Sequence, residues 1–271
     1  MRFDLTHPPL TKISSRARRA LLLRSLLIQG SWNYATLIGT GFAYSLLPAL
    51  EEIYQGDEEG LDDAIERHCQ LFNSHPYLVT LALGAVTRLE GRAATDSSGG
   101  GFQMIERYKA AIRGALGAFG DRLVWTGWRP LCLLATLTAL LLGAPWWLAA
   151  VGFLIVYNLG HLYLRVWGLR VGLDDPMGIA AQLRTPRLER AQRALTIGAT
   201  FIIGLMIPLI AIGLPSLSWG DSSERIEVVA LLPLGIVGAI LGVRWGTRMR
   251  ESIAIALMIG ALIVTLIGMI R

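Results

Sequence analysis

Residues 26–50, LLIQGSWNYATLIGTGFAYSLLPAL, are apolar enough to enter a membrane, yet Gly30, Gly39, Gly41 and Pro48 interrupt the run and Gln29, Trp32, Asn33 and Tyr34 sit on it. In lipid, every unsatisfied backbone or amide group is costly. Such a stretch persists only where protein or a water-filled cavity meets its polar groups. Glycine-broken hydrophobic segments of this kind point to a transporter's substrate site.

The rest of the chain agrees with a membrane setting. Of 271 residues, 53% are hydrophobic and only 17% charged, and mean hydropathy is +0.50. Soluble domains carry about 25% charged residues. Several apolar runs in the C-terminal half approach the ~20 residues that cross a bilayer. The net charge of +5 does not point to nucleic acid, because the basic residues cluster beside apolar segments, as in membrane proteins. Cys69 and Cys132 follow no metal or redox spacing and read as small buried hydrophobes. Arg16, Arg18 and Arg19 followed by an apolar stretch imitate a signal peptide, but Arg24 interrupts it and QGSWN is a poor cleavage context. The expectation is an uncleaved amphipathic helix over 13–29, lying at the cytoplasmic surface with its arginines on anionic lipid.

The expected fold is an all-α integral membrane protein: N-terminal amphipathic helices and glycine-broken re-entrant segments over 1–125, then about five transmembrane helices over 126–271, in a single membrane domain. Within the first part, 51–68 is acidic and soluble, and a helix opening at 62–68 runs into Leu71 and Phe72 before NSHP stops it. Residues 77–90 are apolar but too short to span and read as a half-membrane or interfacial helix. Residues 91–101 read as a flexible linker. Ile105, Tyr108, Ile112, Leu116 and Phe119 mark one face of an amphipathic helix. GAFGDRLVWTGWRP at 117–130 is a second glycine-broken stretch. The expected spans are 130–142 and 146–167, a hairpin around 143–145, then 194–214, 226–243 and 253–270. Arginine clusters at the N-terminus, in a 171–193 loop and at 244–250 put those three regions in the cytoplasm. The 143–145 turn, the 215–226 loop and the C-terminus are then outside.

Chemistry has few places to reside. No phosphate-binding glycine loop, nucleophile triad or paired histidine at metal spacing is present; His68 and His75 are separated by helix-breaking residues. The sequence implies no cofactor, no metal and no catalytic residue. Three polar clusters on apolar backbone remain. Gln29, Trp32 and Asn33 supply planar amides and an aromatic face, the groups that bind sugars; equally, Gln29 and Asn33, four apart, would tie two helices together. Asn73 suits a helix end better than a ligand contact. Asp121 lies at membrane depth, where acids are usually functional, unless it pairs with Arg122 or Arg129. His161 and Arg165 read as facing the cytoplasmic interface rather than relaying protons.

QGSWNY at 29–34, GFAYSLLPAL at 41–50, RHCQLFNSHPYL at 67–78, GALGAFGDRLVWTGWRP at 114–130 and YNLGHLYLRVWG at 157–168 occur in this order. Together they resemble the IID subunit of mannose-type sugar phosphotransferase systems, over roughly residues 15–270. The resemblance implies a bacterial inner-membrane protein that pairs with a IIC membrane subunit, in heterodimers that form trimers, and moves a hexose-type sugar by an elevator-like motion. Soluble IIA and IIB subunits relay phosphate from phosphoenolpyruvate and carry the phospho-accepting histidines. Carried over, the resemblance favours Gln29, Trp32, Asn33, Asn73 and Asp121 as sugar-site residues. The chain departs from the family at Arg122, where Pro is common, and at His75, where Gln is common. A diverged sensing or regulatory protein without transport is the alternative; an autonomous membrane enzyme lacks a catalytic constellation.

Overall fold

The structure is a computed structural model that describes residues 13–95 and 100–213. The linker residues 96–99, the 215–226 and 244–250 loops, the spans at 226–243 and 253–270, and the C-terminus lie outside the described residues. Every regular element within them is helical, accompanied by two isolated β-bridges, Asn33 to Leu37 and Leu37 to Phe72. The chain forms two compact units: one of residues up to Asp121 with His161–Thr185, the other of Arg122–Gly160 with the residues from Pro186 onward.

In the first unit, helix α1 (Ser15–Arg24) begins where the Ser14 hydroxyl accepts the Ala17 amide at 3.0 Å, a standard N-cap. Helical spacing puts Ile13, Ala17, Ala20, Leu21, Arg24 and Ile28 on one side; Ile13, Ala17, Leu21 and Ile28 are buried there, and Ala20 and Arg24 half-buried. A short 3₁₀ turn, Ser25–Leu27, ends it. Helix α2 (Gly39–Ile53) follows after an irregular stretch. The break in the opening segment is therefore confined to residues 28–38. Gly39, Gly41 and Pro48 do not break α2; they lie within it. Pro48 has no N–H to offer the carbonyl of Tyr44, four residues back. Arg24 Nη1 donates to that carbonyl instead, at 3.3 Å, with its guanidinium 4.8 Å from the Tyr44 ring centroid. Arg24 thus ties α1 to α2 and does not simply face lipid.

Helix α3 (Glu58–Cys69) starts on Asp57, whose carboxylate accepts the Gly60 amide at 2.9 Å. It stops at Cys69, short of Leu71 and Phe72, because the chain turns extended at Gln70. Asn73 consequently does not end the helix. Helix α4 (Val79–Ala93) is short, as its apolar length implies, but it is no interfacial helix: every residue except Arg88 and Arg92 is buried. It crosses the C-terminal part of helix α7 (Trp146–Asp174) closely, since a Cβ on Gly84 would stand 2.7 Å from the Leu169 carbonyl oxygen.

One carboxylate, Glu90, lies fully buried on α4. Tyr54 donates to it at 2.6 Å, Arg67 at 3.1 and 3.3 Å, and the His68 Nε2 lies at 2.8 Å. Burial alone would raise its pKa, but the bonds from His68, Arg67 and Tyr54 outweigh that and hold it down to about 2. Burial lowers the pKa of His68. A neutral His68 donates from Nε2 to Glu90 and accepts at Nδ1 from Lys109, 3.3 Å away on helix α5 (Gly101–Gly120). This network joins α3, α4 and α5 to Tyr54 after α2. On α5, Ile105, Ile112 and Leu116 are buried and Tyr108 and Phe119 half-buried, as their spacing predicts.

Residues 117–130 are not glycine-broken. The helical run Gly101–Leu141 continues through a π-helical segment, Asp121–Trp128, into helix α6 (Arg129–Leu141). In the second unit, α6 packs along helix α9 (Pro186–Gly213), with Leu131 against Gly198 and Leu195 against Gly127. The chain turns at Gly143, φ 89°, into α7. The Trp128 indole N–H donates to the Tyr157 carbonyl at 3.3 Å. Trp146, Trp147, Val151, Leu154, Ile155 and Leu159 are exposed along the N-terminal half of α7, a surface suited to lipid. Among the described residues, Gly101–Leu141 and Trp146–Asp174 are long and apolar enough to cross a membrane. The 171–193 segment is largely helical rather than a loop: α7 runs to Asp174, a short helix α8 covers Ile179–Leu183, and Arg187, Arg190 and Arg193 ride on the first turns of α9.

Candidate sugar site

Residues 28–38 form a compact turn built around Asn33. Its Oδ1 accepts the amides of Ala35 and Thr36 at 3.0 and 2.9 Å, and its Nδ2 donates to the Thr36 hydroxyl at 2.8 Å and the Ser31 carbonyl at 3.3 Å. This is the self-bonding turn chemistry of asparagine. Asn33 and Gln29 are therefore not on a helix and do not bridge two helices. Gln29 is exposed, and Trp32 is 46% exposed with its ring 4.8 Å from that of Tyr34, edge to face. Leu37, at φ 55°, reverses the chain.

The turn sits beside the 70–73 strand-like segment. The Phe72 amide donates to the Thr36 carbonyl at 3.2 Å, and the Ile38 amide to the Phe72 carbonyl at 3.1 Å. Two glycines of α2 permit this closeness. A Cβ on Gly39 would overlap the Gln70 carbonyl, and one on Gly41 the Ile28 carbonyl. Asn73, next to Phe72, is exposed. His75 and Pro76 are buried, and His75 lies against Gly120, where a Cβ would overlap its ring. Asp121 follows directly and is exposed, with no ion pair among the described residues. Arg129 instead places its guanidinium 5.4 Å from the Trp125 ring. The three sequence-separated clusters are thus adjacent on the backbone: the 28–38 turn pairs with 72, and 75 packs on 120.

Below this surface lies a group that sequence reasoning placed wrongly. Arg165 does not face an interface; it is only 3% exposed. Its Nε donates to His161 Nε2 at 2.6 Å, and its Nη1 to the Ser25 carbonyl at 2.6 Å and the Ser25 hydroxyl at 3.0 Å. The His161 ring stacks on Tyr77 at 3.9 Å between centroids, and the Arg165 guanidinium lies 5.6 Å from the Tyr77 ring. The signal available was an ionisable pair four residues apart inside an apolar run, which in a membrane usually faces the protein interior. For Glu90 it was a single acid ending an apolar stretch.

An exposed amide and aromatic turn thus stands on buried glycines beside an extended segment, in a chain with helices long and apolar enough to cross a membrane. The sequence pattern of the PTS system mannose/fructose/sorbose family IID component matches residues 12–270, and the chain belongs to that family. The mannose-specific EIID component of Escherichia coli K12 is 29% identical over 72% of this chain and 68% of its own length. The fructose permease IID component of Bacillus subtilis is 26% identical over 69% of this chain and 67% of its own. Among solved structures, one described only as a membrane protein aligns at TM-score 0.62 and 28% identity, covering 73% and 71% of the two chains. The cryoEM structure of the mannose transporter ManYZ with microcin E492 aligns at TM-score 0.56 and 23% identity over 95% and 96%, a likeness of fold. This chain is thus a membrane IID component of a mannose-type phosphotransferase system.

Proposed function

We propose that this subunit forms, with a IIC membrane subunit, the path of a hexose-type sugar, and that the 28–38 turn, Asn73 and Asp121 make its share of the sugar site. The observation that carries the reading is the convergence of those three clusters around Phe72 and His75. Gln29, Trp32, Asn73 and Asp121 offer amide, aromatic and carboxylate groups to the sugar, and Asn33 shapes the turn that presents them. Soluble IIA and IIB subunits supply the phosphoryl group, so this chain contributes recognition and translocation without a catalytic residue. The family match over nearly the whole chain supports transport over a sensing role. About five spans, a cytoplasmic N-terminus and an outside C-terminus complete the reading, supported by the arginine clusters.

The test is phosphoenolpyruvate-driven uptake in membranes holding this chain with its IIC, IIA and IIB partners. Asn33→Ala and Asp121→Ala should each abolish uptake while the protein remains in the membrane at the normal level. Normal uptake rates in both variants would overturn the site assignment.

A further inference from the structure

We infer that Arg165 is a positioning residue that sets the geometry of the sugar site, an inference that rests on the site proposed above. Two of the three clusters lie within three residues of a group that Arg165 reaches directly or through one neighbour, and the third packs on the second of these groups. Ser25, whose carbonyl and hydroxyl both accept from Nη1, is three residues before the turn that begins at Ile28. Tyr77 lies under the guanidinium and stacks on His161, the Nε acceptor. The Tyr77 amide donates to His75 Nδ1 at 3.2 Å, and His75 stands two residues after Asn73. The same His75 ring rests on Gly120, next to Asp121.

The chemistry requires arginine here. A guanidinium presents several N–H groups in one rigid plane, so it holds two separate acceptors while its face stays near an aromatic ring. A lysine would keep the charge and one bond but lose the fork. A buried cation is also expensive in a membrane protein unless its hydrogen bonds are met, so the surrounding groups are drawn to it and their spacing is fixed. Arg165 itself, 3% exposed, is positioned to act through these neighbours and not by touching the sugar.

The experiment uses the full chain assembled with its IIC subunit, comparing wild type, Arg165→Lys and Ser25→Ala. Amide hydrogen exchange is measured without sugar, and uptake kinetics are measured for the same proteins. Expected is about tenfold faster exchange confined to residues 28–38 and 72–77, with α4 unchanged. The apparent KM for sugar should rise about tenfold in Arg165→Lys while the maximal rate holds within about twofold, with a smaller rise in Ser25→Ala. Unchanged exchange in the two segments overturns the inference, whatever happens to uptake. Exchange that accelerates uniformly across the first unit also overturns it, because that marks a purely structural role. Should Arg165→Lys fail to assemble, Ser25→Ala alone decides, since it removes one acceptor and keeps the charge. A wild-type chain that takes up no hexose refutes the proposed function but leaves the exchange result readable.

Discussion

The two units solve opposite problems with the same helical material. The first buries its polar groups inside protein: Glu90, His68 and Lys109 form a closed network, and Arg165 is clamped on Ser25 and His161. Its central helix, α4, is apolar because protein surrounds it. The second unit turns its apolar side chains outward, with Leu154, Ile155 and Leu159 on α7 each more than half exposed. Two apolar stretches therefore have different partners, and only the first carries ionisable groups that need precise company. Polar groups concentrate where protein can satisfy them, which is also where the proposed sugar site lies.

The sharpest way to break this contrast is to remove a partner from the buried network. Glu90→Ala leaves Tyr54, Arg67 and His68 without their carboxylate, and breaking a buried pair costs about 3–5 kcal/mol. Thermal unfolding in detergent should show the first unit melting earlier, and an unchanged melting temperature would mean the network contributes nothing. Next comes the outward face. Leu154→Asp should cost about 2.5–3.5 kcal/mol at insertion, read as reduced membrane-integrated protein with little effect on the Glu90 network. Normal integration would show that this face is covered by something other than lipid.

The smallest effect is the response to acid, which should be specific to the first unit. Glu90 titrates near 2 in the folded protein, against an ordinary value of 4.5. Its stabilisation is therefore complete above about pH 4.5 and lost as pH falls towards 2. His68 has a lowered pKa in the fold, so it too stabilises above its ordinary value of 6.5 and opposes folding as acid protonates it. Melting followed from pH 7 downward should decline first through His68 and then through Glu90. In Glu90→Gln the second decline should disappear; its persistence would assign acid sensitivity elsewhere.

Part of the candidate site's geometry was legible in the chain. Gln29, Trp32 and Asn33 stood out as polar groups on an apolar run, and they occupy one exposed turn. The amphipathic faces of α1 and α5 followed from helical spacing, because a 3.6-residue period is a local property. Other readings missed for a common reason. The glycines of α2 looked like breaks, yet they admit neighbouring carbonyls. Gly117 and Gly120 looked like a re-entrant interruption, yet the helix passes through them into a π-helical segment. Arg165 looked like an interfacial charge, yet it is buried. In each case the role depends on which backbone comes near, and composition does not encode proximity.

What the sequence alone determined is the setting: a membrane protein, its helical class, its family, and which polar residues sit on apolar backbone. Hydrophobicity and local periodicity act over a few residues, so they survive in a linear string. What the tertiary structure alone decided is which apolar surfaces lie against protein and which face outward, and that Phe72, His75 and Gly120 bring three distant clusters side by side. Those outcomes rest on close packing and on satisfying buried hydrogen-bonding groups, and both depend on contacts between residues far apart in the chain.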